Sequence, residues 1–231
     1  MALVRDNIGP LSIFLRDKAL LCADAPDVVL LQGFATGPRC MRPVADHLRR
    51  SGHQPAVAPI GGLFGHLQTC SVARAAKRLD KYLAQLPPGT RPWLVGHSIG
   101  GIIARVAIQN GEARHHISGL ITLAAPHQGC PAAVAGLLLG IGLISTAPWS
   151  ITPISPTIRK LNKTPWPRSV PFISIASTKD LLCRPKHSRI PFADDRLIRN
   201  IVIDHHGHTA MLRSSHVLNA IQDIVSERQA A

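Results

Sequence analysis

Residues 96–100 read Gly-His-Ser-Ile-Gly, and this stretch decides the fold that the rest of the sequence predicts. A serine between two glycines is typical of a sharp turn that joins a β-strand to an α-helix and leaves the hydroxyl exposed. The apolar run Trp93–Val95 before the turn suits a buried strand, and Ile102–Ile108 after it suits a packed helix. Strained backbone at the serine demands small neighbours, which Gly96 and Gly100 provide. The alternative is an ordinary Gly-Ser loop.

Strand-like and helix-like segments alternate along the chain, which predicts an α/β fold with a mostly parallel central sheet and helices on both faces. Besides the strand before the turn, apolar runs predict strands at Asp27–Leu31, Gln54–Ile60, Gly119–Ala125, Phe172–Ser177 and Leu197–Asp204. The spacing of apolar residues predicts helices at Pro43–Arg50, over 72–86 and at Ser215–Arg228. We expect residues 126–171 to form a long irregular excursion between two strands.

A length of 231 residues suits one domain with a large core. We expect residues 1–231 to form that domain, with an N-terminal extension over about residues 1–26 and a cap-like or lid-like insertion over about residues 127–170. The apolar segment Leu137–Ile144 of this insertion could cap a site or line an acyl tunnel, or it could be a core helix without substrate contact. The longer stretch Ala132–Trp149 is nearly all apolar and rich in glycine, but it is too short and too glycine-broken to predict a membrane span, and a buried or interfacial helix is expected instead.

The formal net charge of +13 favours anionic partners such as acidic lipid headgroups or nucleic acid. No RNA-binding signature accompanies this charge, and one Tyr and three Trp leave little for base stacking, so no specific nucleic acid is expected. Charged residues interrupt any apolar signal-peptide core near the N-terminus, which predicts a cytoplasmic protein, peripheral to a membrane where it meets lipid. The five cysteines form no C-x-x-C pair and are expected to be mostly buried free thiols; the alternative is a Cys130–Cys183 disulfide.

A serine hydroxyl is a weak nucleophile near neutral pH, so Ser98 requires a base and a carboxylate that orients the base. On a sheet of this kind the order along the chain is serine, acid, histidine. Asp180 lies three residues beyond the apolar run 172–177 and is the predicted acid. Its rivals are Asp194 and Asp195, in a charged loop, and Asp204, at the end of the last strand.

The base must follow the last strand, where residues 204–208 read Asp-His-His-Gly-His. His208 follows a glycine and precedes the last helical region, so it is the predicted base, with His206 as the alternative. A cluster of three histidines also raises a metal site, but no fourth ligand is apparent, so no metal or other cofactor is predicted. We interpret His127 as a loop residue and His115–His116 as a solvated turn.

The reaction needs donors for the oxyanion that develops on the substrate. The backbone N–H of Ile99, directly after the nucleophile, is one predicted donor. The other is expected from the loop after the first strand, where residues 32–37 read Gln-Gly-Phe-Ala-Thr-Gly, and the N–H of Phe34 is the predicted group. The alternative is a glycine-rich connection without a catalytic role.

With these residues in hand, the sequence resembles α/β-hydrolase lipases of the small bacterial triacylglycerol-lipase type over about residues 27–225. Four segments carry the resemblance, namely Val28–Phe34, Leu94–Gly101, Leu123–Gly129 and Gly207–Ser214. They are similar to the family's oxyanion strand and loop, its elbow, its Pro-His-x-Gly element and its histidine segment, and the last supports His208 over its neighbours. The chain departs from the family in having Gln32-Gly33 where His-Gly is usual.

The resemblance implies a serine carboxylester hydrolase, a lipase or esterase that cleaves lipid-like esters through an acyl-enzyme on Ser98. An acyltransferase, a thioesterase or an amidase would use the same triad, so these readings stay open. A non-catalytic lipid-binding protein on the same fold is a further alternative. The expected partners are a lipid or other ester substrate and an anionic membrane or micelle surface.

Overall fold

The structure is a computed structural model. It describes residues 23–34, 36–61, 70–138, 146–192 and 197–227, without the side chains of residues 135–138. The described strands are β1 (Val28–Leu31), β2 (Pro55–Val57), β3 (Trp93–His97), β4 (Gly119–Leu123), β5 (Phe172–Ser177) and β6 (Ile198–Ile203). The described helices are α1 (Arg42–Arg50), α2 (Val72–Ala84), α3 (Ile99–Asn110), α4 (Pro131–Leu138), α5 (Ala147–Ser150), α6 (Pro156–Lys163), α7 (Pro185–Ser188) and α8 (Ser215–Glu227). Short 3-10 turns lie at Pro38–Met41, Ala113–His115 and Ala210–Arg213.

The strands form one sheet in the order β2-β1-β3-β4-β5-β6, and each neighbouring pair is parallel. The chain leaves β1 towards β2 and returns to β3 on the other side of β1, so the direction of strand addition reverses between β1 and β3. In an open α/β sheet, the crevice outside the carboxyl ends of the strands at such a reversal is where ligands bind. The loops after β1 and β3 therefore flank the expected binding crevice.

Helices cover both faces of the sheet, as the alternation of segments predicts. Apolar side chains of α2, α3 and α6 pack on one face, and those of α1 and α8 pack on the other. Side chains of β1 alternate between the two layers, with Val29 and Leu31 in the first and Val28 and Leu30 in the second. The strands β1, β3, β4 and β5 are buried along their whole length, whereas the edge strand β6 is mostly exposed or half-buried. Burial on both faces explains why the inner strands are largely apolar in sequence, and each buried Leu, Ile or Val contributes about 1.5–3 kcal/mol.

Several element boundaries differ from the sequence prediction. The second strand ends at Val57 rather than Ile60, since Pro59 has no N–H to donate to a ladder. The fourth ends at Leu123 rather than Ala125, because Ala124 has a φ of +51° and turns the chain. Helix α3 begins at Ile99, three residues before the apolar run that predicts it.

The excursion expected at residues 126–171 is not irregular throughout, because α4, α5 and α6 lie in it. Helix α6 begins where the side chain of Ser155 accepts the backbone N–H of Ile158 at 3.1 Å, with Pro156 as its first residue. A serine N-cap followed by proline is a standard helix start. Several other prolines lie close to Pro156 in the sequence, so this start was not recognised from the sequence alone.

Some predictions fall outside the described residues. These are the extension over residues 1–22, most of the apolar segment Leu137–Ile144, and the rival acids Asp194 and Asp195. Among the helices that the structure describes, none has the length and apolar character needed to cross a membrane.

Candidate active site

Ser98 lies between β3 and α3 with a φ of +53° and a ψ of −123°, a conformation that L-residues rarely adopt. Its N–H donates to the carbonyl of Leu123 at 2.8 Å, which fixes the turn to the end of the neighbouring strand. A Cβ on Gly100 would lie 2.5 Å from the carbonyl oxygen of Leu31, so only glycine allows the first turn of α3 to approach β1 this closely. The predicted elbow is therefore present, and the ordinary-loop alternative is wrong.

The loop after β1 packs directly against this elbow. A Cβ on Gly33 would lie 3.3 Å from Cβ of Ser98 and 2.8 Å from Nδ1 of His97. Phe34 follows Gly33, and Ile99 is the first residue of α3, where backbone N–H groups have no partner within the helix. The two predicted oxyanion donors thus belong to segments that meet at Ser98, at the switch point of the sheet.

Asp180 lies in the turn after β5, and its side chain is closed to solvent. Its Oδ1 accepts the backbone N–H groups of Leu182 and Cys183, both at 2.8 Å. Its Oδ2 lies 2.7 Å from Nδ1 of His208. The first pair of hydrogen bonds fixes the carboxylate plane, so the second oxygen is aimed at the imidazole. This is the geometry by which a carboxylate orients a catalytic histidine.

His208 lies in the loop after β6 and is 7% exposed. Its carbonyl accepts the Nε2 hydrogen of His97 at 3.0 Å, and the two imidazole rings lie 4.8 Å apart between centroids. Because His97 directly precedes Ser98, this hydrogen bond holds the His208 loop beside the elbow. The structure thus brings together the carboxyl ends of β3, β5 and β6, from which the predicted nucleophile, acid and base come.

His97 is neutral in this arrangement. Burial, and then the neighbouring His208 ring, lower its pKa to about 3, although the hydrogen bond to the His208 carbonyl and the charge of Asp180 act in the opposite direction. A carbonyl only accepts, so Nε2 carries the hydrogen and Nδ1 is a bare acceptor, buried without a hydrogen-bond partner. In the sequence, His97 stands out only as part of the Gly-His-Ser-Ile-Gly motif. Its positioning role depends on a contact with a residue 111 positions away.

The structure places the other two histidines of the cluster differently from His208. Nε2 of His206 lies 3.0 Å from Oγ of Ser214, while His205 is exposed with a φ of +71°. The part of the chain that the structure describes contains no group of three or more His, Cys, Asp or Glu side chains able to hold a metal ion. Asp204, a rival acid, is exposed and accepts the hydroxyl of Thr178 at 2.8 Å, whereas the carboxylate that contacts the His208 ring is that of Asp180.

The thiols of Cys40, Cys70, Cys130 and Cys183 are free, so the alternative of a Cys130–Cys183 disulfide is wrong. Burial raises the pKa of Cys183 well above its ordinary value, and the thiol lies 3.1 Å from Oγ of Ser188. Buried thiols of this kind behave as small apolar side chains.

A buried cation on α3 was missed at the sequence level. Arg105 is fully buried, and its donors go to Oε1 of Gln109 at 3.0 Å, the carbonyl of Leu161 at 3.0 Å and Oδ1 of Asn162 at 3.2 Å. No carboxylate of the described residues forms an ion pair with it, and burial lowers its pKa to about 9. One arginine inside the otherwise apolar run 102–108 was the available signal.

His127 belongs to the same cluster; it is a loop residue between β4 and α4, as predicted, but it is buried. It is fully buried, with Nδ1 3.5 Å from Nη1 of Arg105 and Nε2 2.9 Å from Oγ1 of Thr122. Burial, and then the charge of Arg105, lowers the pKa of His127 well below its ordinary value. The cluster therefore ties α3 to the strand end after β4 and, through Leu161 and Asn162, to α6.

Comparison with solved structures supports this fold. A mature Bacillus licheniformis lipase is 16% identical, with a TM-score of 0.73 over 89% of this chain and 94% of that one. A Paleococcus ferrophilus monoacylglycerol lipase is 17% identical, with a TM-score of 0.65 over 88% and 96% of the two chains. A metagenomic carboxyl esterase is 16% identical, with a TM-score of 0.69 over 90% and 77%. At these identities the likeness shows the fold, which is that of the α/β-hydrolases.

No curated protein sequence matches the chain at a significant level. A family match is nevertheless clear from the sequence, and it runs from the segment before α2 to the start of α7. Residues 64–185, just over half of the 231 residues, match the PGAP1-like alpha/beta domain. The chain therefore belongs to the PGAP1-like alpha/beta domain family.

Proposed function

We propose that the protein is a serine carboxylester hydrolase, a lipase or esterase that acts on lipid-like esters. The observation that carries the proposal is the pairing of Asp180 with His208 at 2.7 Å beside a strained elbow at Ser98. The lipases and the esterase that share the fold support the same reaction class. Neither a buried carboxylate–imidazole pair nor a positive-φ serine is common, and serine hydrolases built on a nucleophile elbow combine the two.

In the proposed reaction, Oγ of Ser98 attacks the ester carbonyl carbon while Nε2 of His208 takes the hydroxyl proton. The carbonyl electron pair becomes an oxyanion, which the N–H groups of Phe34 and Ile99 stabilise. The oxyanion collapses, the bond to the alcohol oxygen breaks, and His208 gives its proton to the departing alcohol. Water then repeats the sequence on the acyl-enzyme and releases the acid, while Asp180 stabilises the imidazolium in both halves.

A lipid-like substrate fits the charge of the protein. The net charge of +13 attracts the protein to anionic membranes and micelles, where long-chain esters accumulate. Each added buried CH₂ of an acyl chain contributes about 0.8 kcal/mol to binding, so a series of esters with increasing acyl length measures how much of the chain the site holds. We expect medium or long chains to be preferred. A preference for short soluble esters would favour an esterase.

The central test is labelling with a fluorophosphonate probe, followed by peptide mapping. We expect a single adduct on Ser98 and turnover of a p-nitrophenyl ester that the Ser98→Ala variant lacks. The circular dichroism spectrum of the variant should match that of the parent, which separates loss of chemistry from loss of fold. Turnover retained by Ser98→Ala would remove the mechanism, and a folded parent that neither labels nor hydrolyses would favour a lipid-binding protein.

A further inference from the structure

Charge is distributed very unevenly along the sequence. Between residues 113 and 193 the only acidic residue is Asp180, which is 1% exposed. The same segment carries nine Lys and Arg residues, namely Arg114, Arg159, Lys160, Lys163, Arg168, Lys179, Arg184, Lys186 and Arg189. The excursion and the loop after β5 therefore present cations without neighbouring exposed carboxylates of their own segment, and they attract anions.

The same part of the chain exposes large apolar side chains. Val134 is 41% exposed, Trp149 57%, Ile154 70% and Leu181 52%. The one other large exposed apolar residue in the described part of the chain is on β6. Single exposed apolar residues are common, but several large ones grouped at a surface indicate a binding site for a protein or a membrane.

Backbone contacts hold these apolar residues in one region. The N–H of Cys130 donates to the carbonyl of Ile151 at 2.7 Å, which joins the start of α4 to the segment between Trp149 and Ile154. The thiol of Cys130 donates to the carbonyl of Leu182 at 3.2 Å, which joins the same turn to the Asp180 loop. The excursion and the loop of the predicted acid thus share one hydrogen-bonded junction.

Buried and exposed side chains alternate in the loop that contains Asp180. Asp180 points inward and uses both carboxylate oxygens, whereas its neighbours Lys179 and Leu181 are exposed. Arg184 and Lys186 follow, and both are exposed. Burial, and then the charges of Lys186 and Arg184, lower the pKa of His187. A cation and an aliphatic side chain therefore leave the same turn on either side of the buried acid.

We propose that a docking face formed by Val134, Trp149, Ile154 and Leu181 with Lys179, Arg184 and Lys186 binds the surface of an anionic phospholipid membrane. Indole and aliphatic side chains enter the headgroup region of a bilayer, while lysine and arginine pair with lipid phosphates around them. A nucleic acid would satisfy the cations but would leave the exposed aliphatic side chains without a partner. Because the Asp180 loop belongs to this face, the predicted acid lies directly behind the membrane contact. The docking itself does not depend on the proposed function. Only its purpose, which is to deliver a lipid ester to the site, rests on that proposal.

The test is vesicle sedimentation with the full-length Ser98→Ala protein, so that binding is measured without hydrolysis. We expect binding to vesicles with about a third phosphatidylglycerol to be at least about tenfold tighter than binding to pure phosphatidylcholine. Lys186→Glu should weaken binding to the anionic vesicles by at least about fivefold. Arg50→Glu, an equal charge change at an exposed site on the opposite layer, should change binding less than about twofold.

Trp149→Ser and Ile154→Ser test the apolar part of the face. Each should weaken binding at least about threefold at both low and high salt, because insertion of an apolar side chain is not screened. Equal losses from Arg50→Glu and Lys186→Glu would mean diffuse attraction and would overturn the assigned face. RNA binding that Lys186→Glu weakens and Trp149→Ser does not would also overturn it, in favour of a polyanion.

The docking face and the proposed function fail separately. Lys186→Glu and Trp149→Ser, made in the protein with Ser98 intact, should hydrolyse a soluble p-nitrophenyl ester within about twofold of the parent rate. Hydrolysis of the soluble ester without vesicle binding would overturn the docking face alone. Vesicle binding by a protein that does not react with the fluorophosphonate would overturn the hydrolase proposal alone.

Discussion

His97 donates its Nε2 hydrogen to the backbone carbonyl of His208 at 3.0 Å, so the residue before the proposed nucleophile holds the loop of the proposed base. The contact is made to the main chain rather than to the imidazole, and it therefore sets the position of His208 without competing for its ring nitrogens. Asp180 sets the orientation of that ring from the other side, at 2.7 Å. Position and orientation of the base depend on two different residues.

Replacing His97 tests this division of labour. His97→Ala should lower kcat for a soluble ester on the order of tenfold with little change in KM, the equivalent of about one hydrogen bond. His97→Gln should recover part of the loss, because the glutamine amide nitrogen can take the position of Nε2. A purely structural role would instead give equal losses in both variants, in step with their melting temperatures.

Stability should fall as the solution is acidified below neutrality. Burial lowers the pKa of His97 to about 3 and that of His127 well below its ordinary value, so both stay neutral in the folded state. The unfolded chain binds protons as the pH falls through about 6.5, so the stabilising contribution is present above that pH and is lost below it. For His97 alone the loss by pH 5 is about 2 kcal/mol.

Urea unfolding at pH 7 and pH 5 measures this effect. The difference between the two free energies of unfolding should be smaller by about 2 kcal/mol in His97→Gln, which has no group that titrates in this range. An unchanged difference in the variant would mean that His97 is protonated in the folded state.

The two carboxylates at the ends of β5 and β6 provide a matched pair. Asp180→Asn should lower kcat on the order of 10³-fold or more, because an amide at this position no longer stabilises the imidazolium. Asp204→Asn is the same substitution 24 positions along, at an exposed side chain that pairs with Thr178, and should change kcat less than about twofold. Comparable losses in the two variants would return Asp204 to the list of candidate acids.

The positive φ of Ser98 predicts that glycine at this position is more stable than alanine. A non-glycine residue with its φ and ψ costs about 1–3 kcal/mol, which glycine avoids. Ser98→Gly should therefore be more stable than Ser98→Ala by about 1 kcal/mol, although both variants lack the hydroxyl. Ala73, an exposed residue of helix α2, provides the control. There the Ala73→Gly variant should be less stable than the parent protein, as is usual within a helix. Thermal unfolding of the four proteins measures both differences, and equal stabilities of the two Ser98 variants would mean an unstrained elbow.

The elements that the sequence predicted well are those whose signals are local. The strand, turn and helix around Ser98 need only the small residues and apolar runs that flank it, and parallel strands place their carboxyl ends together. The pairing of Asp180 with His208 followed from their order along the chain and from where each strand ends. Boundaries were less predictable, because they depend on neighbours in space, as when Ala124 leaves β4 with its N–H on the carbonyl of Ile175.

Features that depend on contacts between distant segments were not predictable. Arg105 contacts His127, which is 22 positions away in the sequence, and Asn162, which is 57 positions away. No local sequence pattern predicts contacts of this kind. The exposure of Trp149 and Leu181 was hidden for the same reason, since an apolar residue in a sequence reads as a core residue until the fold is known.

The buried guanidinium of Arg105 has a consequence for how the molecule opens. Its hydrogen bonds to Leu161 and Asn162 cross from α3 to α6, and parting the two helices would leave a desolvated cation and several acceptors unpaired at once. We therefore expect helices α3 and α6 to unfold as one cooperative unit. In native-state hydrogen exchange, the slowest amides of α3 and α6 should share one opening free energy, and Arg105→Met should lower it for both helices together.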